Sequence, residues 1–460
     1  MPHSLLATSA DSSRPIWLVT ESTWNGIRAQ LPKTAQGFAK AQGFEGKTGS
    51  HCLLPDPDGN LLGVVFGLAN DDARHRDPFI VGKLPTILPE GVYRFETAAP
   101  DAMLATLAWI LGSYSFTRYR KRAEKAVRLV VPDGVDADEV TRIADAVFRS
   151  RDLVNTPTND LGPDGIEAAA RRIAEAHGAQ FTCIVGDDLL KQNFPMIHAV
   201  GRASDIAPRL IDFTWGDANA PRVTLVGKGV AFDTGGLDIK PASSMLLMRK
   251  DMGGAATTLA LADMIMGAKL KVRLRVLIPA VENAISSNAF RPGDILNSRK
   301  GITVEIGNTD AEGRLILADA LALADEEKPD LIVDFATLTG AARVALGPEL
   351  PPFYTDDEEL AAEIARTGMA VNDPVWRLPL WAPYQSQLDS KYADMNNTGG
   401  PMAGSVTAAL FLRRFVSEAK AHVHFDIFAW NPSTRPARPE GGEVQAARLM
   451  YALLKKRYAP

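Results

Sequence analysis

The chain has 460 residues, of which 46% are hydrophobic and 23% charged, so we expect a folded protein with two domains rather than a disordered one. Its net charge is -5 and it has no basic block, which argues against nucleic acid or an anionic membrane surface as a partner. Two cysteines give no disulfide framework. We find neither a signal peptide nor an apolar run long enough to span a membrane, and therefore expect a cytoplasmic protein.

The first part of the chain has the pattern of a small α/β domain. Apolar spacing predicts a strand over 61–69, a helix over 101–119, a strand over 128–135 and a helix over about 137–150. The segment 151–163 is rich in turn residues and marks the start of a second domain. We therefore predict an N-terminal domain over residues 1–140 and a catalytic domain over residues 151–460.

The second part alternates strands with helices. Strands are predicted over 222–232, 271–281 and 330–340, and helices over 254–268 and 315–327. This alternation favours an α/β fold, here with a mixed β-sheet flanked by helices on both faces. The Pro-rich segment 431–442 is expected to be an exposed loop before a final helix.

One stretch, "NTDAEGRLILADAL" over 308–321, is compatible with an ordinary helix start. Thr309 and Glu312 have the spacing of a capping box, and Asp310 and Arg314 that of a helical ion pair. Gly313 fits less well, because glycine costs about 1 kcal/mol relative to alanine inside a helix. Its presence indicates a close approach of the backbone to another group.

Two further polar stretches follow predicted strands, "GKGVAFDTGGLDIKP" over 227–241 and "MRKDMGGAAT" over 248–257. The first is not a phosphate loop, since Gly229 stands where Ser or Thr is required, and Phe232 replaces the third glycine of a dinucleotide fingerprint. Asp251 could simply cap the apolar helix that follows it. Each stretch taken alone favours a structural role.

Taken together, the three stretches predict a metal centre. Asp233, Asp251, Asp310 and Glu312 would meet at one edge of the sheet if their strands are neighbours. Four clustered carboxylates in a partly buried cleft require compensating cations, and two divalent ions would balance them. Oxygen ligands suit Mn²⁺ or Mg²⁺, and Zn²⁺ also accepts carboxylates. Paired metals beside Lys and Arg are typical of hydrolytic sites.

The same motifs resemble those of the leucine aminopeptidase family, the cytosol aminopeptidases. The resemblance rests on "NTDAEGRL", "VGKGVAFDTGG", "IKP" and "DMGGAA", and on the satellite motifs "RDLVNTPTND", "FPMIHAVGRAS", "RPGDILNS", "DFATLTGA", "DPVWRLPLW" and "DMNNTGG" in the same order. It implies a di-metal exopeptidase that removes N-terminal residues from peptides with a free N-terminus. It also implies two Mn²⁺ or Zn²⁺ ions per subunit and a homo-hexamer.

The resemblance implies roles for particular residues. The metal ligands would be Lys228, Asp233, Asp251, Asp310 and Glu312, with Asp233 and Glu312 bridging the two ions and Asp310 at the exchangeable site. Lys228 would have to be neutral as a ligand, so the ions would depress its pKa.

The resemblance also implies a mechanism in which a water activated by the metals attacks the peptide carbonyl. Arg314 would hold a bicarbonate that acts as general base, and Lys240 would stabilise the oxyanion. Asp310 would help to recognise the α-amino group. The substrate-binding residues carried over are Met248, Asn308, Thr337, Leu338 and Gly340. An apolar Met wall favours Leu- or Met-like first residues.

Two departures from the family pattern bear on the site. Asp238 stands where the family has a small or hydroxyl residue, and a salt bridge could compete with the role of Lys240. The segment "HFDIFAWNPSTRPARPEGG" differs from the usual ending, which puts the side-chain preference in question. His424 within it is interpreted as a structural residue on a strand.

Three other functions compete with a general aminopeptidase. A dipeptidase for Cys-Gly or similar peptides fits the sequence equally well, and a substrate panel would separate the two. The acidic balance argues against a nucleic-acid-binding regulator. A catalytically dead scaffold should have lost ligands, whereas all seven metal-binding and catalytic positions are intact.

Overall fold

The computed structural model describes residues 3–459, except for 71, 73, 75 and 122–124. The chain forms two compact units, one comprising Met1–Phe148 with Ser433–Glu440 and the other Arg149–Pro432 with Gly441–Pro460. The expected two-domain α/β organisation is thus confirmed. Eight residues near the end of the chain, Ser433–Glu440, belong to the first unit. The predicted domain limits 1–140 and 151–460 are contiguous and do not include this return of the chain. In the described part of the chain, no helix combines the length and the apolar character that crossing a bilayer needs.

The first unit is built on a six-stranded sheet. Its strands are β1 Leu6–Ala7, β2 Arg14–Val19, β3 His51–Pro55, β4 Leu61–Gly67, β5 Gly91–Phe95 and β6 Val127–Val130. Its helices are α1 Trp24–Gln30, α2 Lys33–Ala41, α3 Leu84–Ile87 and α4 Ala102–Gly112, with a 3₁₀ helix over Ile80–Lys83. The strand order is β1-β6-β5-β2-β4-β3, and all neighbours are parallel except β4 and β3.

The helix α4 is shorter than the sequence pattern predicted. It begins after Asp101, whose side chain accepts a hydrogen bond from the amide of Leu104, and it ends at Gly112 instead of continuing to 119. The residues that follow, "SYSFTRY", are Ser, Thr, Arg and aromatic residues, most of which are weak helix formers. Apolar spacing alone therefore overestimated the helix by about two turns.

The helix α5 spans Ala137–Asn155 and leads from the first unit into the second. It therefore includes the beginning of the segment 151–163 that was expected to be a turn-rich connection. The next helix begins at Pro163, where a proline fits because the first helical position has no hydrogen bond to lose.

The second unit contains the remaining elements. Its helices are α6 Pro163–Ala176, α7 Asp188–Lys191, α8 Pro195–Gly201, α9 Ala242–Met245, α10 Gly253–Gly267, α11 Glu312–Glu326, α12 Gly340–Leu346, α13 Glu358–Ala370, α14 Gly404–Arg413 and α15 Ala447–Tyr458, with 3₁₀ helices over Met248–Met252 and Ala382–Leu388. Its strands are β7 Gln180–Val185, β8 Arg209–Trp215, β9 Arg222–Gly227, β10 Gly229–Asp233, β11 Arg273–Asn283, β12 Ile295–Asn297, β13 Thr303–Glu305, β14 Leu331–Ala336, β15 Pro352–Tyr354, β16 Trp376–Arg377, β17 Met395–Asn396, β18 His422–Asp426, β19 Trp430–Asn431 and β20 Gly441–Gly442.

The main sheet of this unit is mixed and has the order β16-β15-β18-β14-β9-β11-β8-β7, with β10 also paired to β11. The central strands β18, β14, β9 and β11 are parallel, and antiparallel pairs lie toward both edges. The helices α6, α10 and α15 pack together on one face, and α8, α11 and α14 on the other. The helix α10 is apolar on all sides, which suits its full burial between the sheet and α15.

Three breaks in these elements place the polar residues. The predicted strand 222–232 is interrupted at Lys228, whose amide donates to the Phe335 carbonyl and whose carbonyl accepts from Ala255. The predicted strand 330–340 ends at Ala336, and α12 begins at Gly340 after a turn. The helix α11 begins at Glu312, three residues earlier than predicted, so its first turn carries charged residues.

Candidate functional site

Three carboxylates meet at the carboxyl end of the central strands. Asp233 is the last residue of β10, Asp310 lies in the loop before α11, and Glu312 opens that helix. One oxygen of each side chain lies within 4.8 Å of the others. Asp233 and Glu312 are buried, whereas Asp310 is half-buried. The end of β10 and the beginning of α11, with the loop before it, thus bring together three of the five predicted metal ligands.

The other two predicted ligands, Lys228 and Asp251, lie on the far side of Glu312. Lys228 Nζ is 2.7 Å from Asp251 Oδ2 and 3.0 Å from Glu312 Oε1, and it donates to the Thr337 carbonyl at 3.0 Å. Asp251 lies in the 3₁₀ helix Met248–Met252, and its side chain does not cap α10 as its position had suggested. Lys228 therefore connects Asp251 to the three-carboxylate cluster.

Lys240 faces the opposite side of the cluster. Its Nζ lies 2.8 Å from Asp233 Oδ2 and also forms an ion pair with Asp310 Oδ1. The side chain is only 12% exposed, so this charge is held close to the carboxylates rather than in solvent. The predicted catalytic lysine and the predicted ligands thus belong to one network.

The charges in this network are not balanced. Burial, reinforced by the neighbouring Asp233, raises the pKa of Glu312 to about 8 and that of Asp310 to about 6. Burial alone would lower the pKa values of Lys228 and Lys240, but the surrounding carboxylates outweigh it and raise both above their usual value. Two ammonium groups against four carboxylates leave an excess of negative charge. Divalent cations fit this donor set.

Arg314 lies in the first turn of α11 and is buried. Its Nη1 donates to the Asn397 carbonyl at 2.6 Å, and its guanidinium lies 5.9 Å from the centre of the Phe411 ring. Arg314 and Asp310 do not form the expected helical ion pair, because Asp310 pairs with Lys240 instead. Burial lowers the pKa of Arg314 to about 10. Its Nε is buried without a hydrogen-bond partner within the described chain.

The expected capping box of α11 is absent. The helix has Ala311 at its N-cap without a side-chain hydrogen bond, while the Thr309 hydroxyl donates to the Gly235 carbonyl at 2.6 Å. Asp238 Oδ2 accepts from the Thr309 amide at 2.8 Å. Asp238 therefore holds the loop before α11, and the expected competition for Lys240 does not arise.

The predicted substrate-binding residues lie in three segments. Met248 is half-buried and begins the 3₁₀ helix that carries Asp251. The Thr337 hydroxyl donates to Asp251 Oδ1 at 2.7 Å, and Leu338 and Gly340 follow it in the turn before α12. The Asn308 side chain instead accepts from the Asp310 amide at 2.7 Å and so stabilises the loop that carries Asp310 before α11.

Three buried residues that sequence reasoning did not assign support the site. Asn283 donates to Asp233 Oδ1 at 2.9 Å and to the Thr309 carbonyl at 3.1 Å. Asn397 Oδ1 accepts from the amides of Gly307 and Asn308. The motif "DMNNTGG" was the available signal for Asn397, but nothing local to the sequence indicates the role of Asn283.

Asp426 is the third of these residues, and it fixes the turn after β14. Its Oδ1 accepts from the amides of Leu338 and Thr339 at 3.0 and 3.1 Å, and its Oδ2 accepts from Ser405 Oγ at 2.8 Å. His424, two residues earlier, bonds to the buried Asp334 at 2.5 Å, which agrees with a structural role on a strand.

Comparison with known proteins connects this geometry to a family. The sequence model of the cytosol aminopeptidase family, catalytic domain, matches residues 148–451, and that of the M17 aminopeptidase N-terminal domain matches residues 15–132. A probable cytosol aminopeptidase of Syntrophotalea carbinolica is 40% identical over 364 residues, covering 75% of this chain and 73% of that protein.

Solved structures agree with the sequence matches. The cytosol aminopeptidase from Coxiella burnetii has a TM-score of 0.94 and 45% identity, covering 99% of this chain and 100% of its own. The bottromycin maturation enzyme BotP in complex with Mn has a TM-score of 0.87 and 30% identity, covering 97% of this chain and 99% of its own. The chain therefore belongs to the cytosol aminopeptidase family and is an enzyme, a peptidase of the hydrolase class.

Proposed function

We propose that this enzyme removes N-terminal residues from peptides with a free N-terminus in a reaction that needs two divalent metal ions. The observation that carries the proposal is the cluster of the buried Asp233 and Glu312 with the half-buried Asp310, whose oxygens lie within 4.8 Å of one another beside Lys240. Lys228 and Asp251 would complete the ligand set, as the family motifs imply.

The residues fit divalent ions by charge and by chemistry. Burial, followed by the neighbouring Asp233, raises the pKa values of Glu312 and Asp310, and divalent cations would compensate the carboxylates in their charged form. Oxygen donors suit Mn²⁺, and Zn²⁺ also accepts carboxylates. The relative BotP was solved with Mn, which favours Mn²⁺ here. What a pair of such ions supplies is activation of a water molecule and polarisation of a carbonyl oxygen.

The chain's own residues would bind and orient the peptide. Asp310 is half-buried and is the accessible carboxylate of the cluster, so it is placed to accept a hydrogen bond from the substrate's α-ammonium group. Lys240 would donate to the oxyanion that develops on the peptide carbonyl, where a preorganised charge has most effect. Substrates without a free amino group lack the first contact, which would make the enzyme an exopeptidase.

Arg314 would hold a bicarbonate ion, which would supply a general base. The buried Nε of Arg314 has no hydrogen-bond partner in the described chain, so the guanidinium retains a donor for an anion. Asn397 holds the guanidinium through its carbonyl. This arrangement accounts for a buried Arg whose neighbouring acids are bonded elsewhere.

We infer that the first side chain lies against Met248 and the turn formed by Thr337, Leu338 and Gly340, with Asn308 nearby. Met248 provides an adaptable apolar wall that favours Leu- or Met-like residues. A homo-hexamer and a cytoplasmic location remain part of this proposal, as do the domain limits 1–140 and 151–460.

The test is hydrolysis of Leu-p-nitroanilide and of short peptides, free or N-acetylated, with Mn²⁺ or Zn²⁺ and after chelation. We expect cleavage of free N-termini only, lost on chelation and restored by metal. Equal cleavage of acetylated peptides would contradict an exopeptidase. Glu312→Ala should abolish activity, whereas Glu359→Ala, which changes an exposed acid on α13, should not.

A further inference from the structure

A second charged group lies beside the metal-ligand network and has no role in the mechanism above. It consists of Lys250 and Arg343, whose charged ends both lie over the ring of Phe428, at 5.2 and 4.6 Å from its centre. We call these two residues the Phe428 cation pair. Lys250 is only 2% exposed, which is rare for a lysine without an opposing charge.

Neither cation has a carboxylate of its own at close range among the described residues. Within the described parts of the chain, the one carboxylate near Lys250 is that of Asp251, at 3.9 Å, and Asp251 is already paired with Lys228 at 2.7 Å. Arg343 has no acidic partner among the described residues, and its single hydrogen bond, to the Thr339 carbonyl, is long at 3.5 Å. A buried positive charge is costly unless an anion accompanies it.

Three chain segments fix the pair next to the reaction centre. Lys250 belongs to the 3₁₀ helix that carries Asp251, and Arg343 belongs to α12, directly after the turn that contacts Asp251 through Thr337. Phe428 follows β18, and the amide of its neighbour Ile427 donates to the Ala336 carbonyl at 2.8 Å. The pair therefore flanks the same turn that Asp426 clamps.

We propose that the Phe428 cation pair is an anion subsite that binds a carboxylate of the peptide substrate. The inference rests on the proposed function, because a peptide presents two such groups near its first bond: an acidic first side chain and, in a dipeptide, the terminal carboxylate. A guanidinium binds a planar carboxylate through parallel hydrogen bonds, and the ammonium adds a point charge. With an acidic first side chain as the source, the subsite extends the substrate range beyond Leu- and Met-like first residues, and with a terminal carboxylate it favours dipeptides.

The test compares two pairs of substrates at pH 7 with saturating Mn²⁺. Glu-p-nitroanilide against Leu-p-nitroanilide reports an acidic side chain, and Leu-Gly against Leu-Gly-amide reports a terminal carboxylate. For one of these two substrate pairs, we expect Lys250→Met and Arg343→Gln each to reduce the kcat/KM ratio of charged to neutral substrate by about tenfold or more. This is the loss expected for one charge-assisted hydrogen bond. The affected pair identifies the source of the carboxylate.

Ratios are used because Lys250 adjoins a metal ligand, and a defect in metal loading would lower both rates together. Arg343 is half-buried on the surface of α12, so Arg343→Gln provides a variant that should fold even if Lys250→Met does not. Lys271→Met is the matched control, since this exposed lysine precedes the amino end of β11, away from the carboxyl ends that carry the site.

A binding measurement separates the subsite from catalysis. Titration calorimetry of L-glutamate and L-leucine into the protein should show a preference for glutamate that both variants weaken if the side chain is the source. If Leu-p-nitroanilide is cleaved but neither ratio depends on Lys250 or Arg343, the subsite is wrong and the aminopeptidase proposal stands. If no substrate is cleaved with either metal, the proposed function fails, and binding of both L-glutamate and Leu-Gly that is unchanged in the variants would overturn the subsite as well.

Discussion

A Cβ atom on residue 313 would lie 2.4 Å from Lys228 Cε and 2.7 Å from its Nζ. Gly313 is the second residue of α11, where glycine is unfavourable, and the space it leaves is filled by the lysine that joins Asp251 to Glu312. The close approach expected of Gly313 is therefore an approach to the side chain of Lys228, one of the predicted metal ligands. Lys228 cannot move aside easily, because it is buried and held by three oxygen partners.

Gly313→Ala should therefore inactivate the enzyme without unfolding it. The added methyl group would displace Lys228, and we expect kcat/KM for Leu-p-nitroanilide to fall by about two orders of magnitude, as when a catalytic group is misplaced by about 1 Å. Titration calorimetry should show weaker Mn²⁺ binding.

The matched control is Gly37→Ala in α2, where a Cβ meets nothing within 4 Å. It should raise stability by about 0.5–1 kcal/mol and leave activity unchanged. Full activity in Gly313→Ala would contradict a tight fit around Lys228.

Asn283→Ala should weaken metal binding through Asp233. The substitution removes the donor to Asp233 Oδ1 and leaves the Thr309 carbonyl short of a partner. Loss of such a supporting residue typically costs 10- to 100-fold in metal affinity, and we expect a loss of about that size in Mn²⁺ titrations. The comparison is Asn219→Ala, an exposed position in the turn after β8. If the Mn²⁺ affinity of Asn283→Ala equals that of the parent protein, the hydrogen bond from Asn283 does not contribute to metal binding by Asp233.

Two aspartates of α11 should give opposite pH effects on stability. Burial raises the pKa of Asp319 to about 7, although three backbone amides donate to its carboxylate. The folded state therefore binds a proton that the unfolded state releases near pH 4. The stability that this proton contributes is present at low pH and is lost as the pH rises toward 7.

Asp325 has the reverse shift. Burial acts to raise its pKa, but hydrogen bonds from Ser417, Ala419 and Glu418 outweigh it and lower the pKa. Its contribution is present above the usual pKa of an aspartate and is lost only as the pH falls into the acidic range.

Guanidinium unfolding from pH 5 to 7.5 tests the pair. The stability difference between the parent protein and Asp319→Asn should decrease as the pH rises, with a slope of at most about 1.4 kcal/mol per pH unit for one proton. The difference for Asp325→Asn should be flat over the same interval. A flat profile for Asp319→Asn would mean that its three amide donors, not burial, determine its charge.

Asp426→Asn should impair the turn at the predicted substrate pocket while leaving the predicted metal ligands intact. Asp426 accepts hydrogen bonds from the amides of Leu338 and Thr339 through one oxygen and from the Ser405 hydroxyl through the other. An asparagine replaces one of these oxygens by an NH₂ group, which cannot accept a hydrogen bond from the donors that face it. A supporting shell of this kind commonly contributes 10- to 100-fold, so we expect about a tenfold fall in kcat/KM for Leu-p-nitroanilide, mainly through KM. Mn²⁺ affinity should remain that of the parent protein. An equal loss in metal binding would place Asp426 in the support of the ligands instead.

Local sequence patterns predicted the elements and the chemistry of the site, but not its connections. The alternation of strands and helices gave β11, α10 and β14 within a few residues, and carboxylates at strand ends pointed to a cation site. The capping-box interpretation of Thr309 was wrong because the hydroxyl is used by Gly235, 74 residues away in sequence. The ion pair expected between Asp310 and Arg314 failed for the same reason, since Lys240 and Asn397 compete for these groups. Contacts between distant segments outweigh spacing along one helix.

The late return of residues 433–440 to the first unit has a consequence for how the protein is made. Ala437 fills the space against Gly82, and Arg438 lies over the ring of Phe79 at 4.8 Å. During synthesis the first 148 residues leave the ribosome long before these partners exist. Domains usually fold in the order in which they emerge. Here the first unit can be completed only after residue 440 has been translated, and a truncated gene encoding residues 1–148 would yield a unit with an uncovered surface.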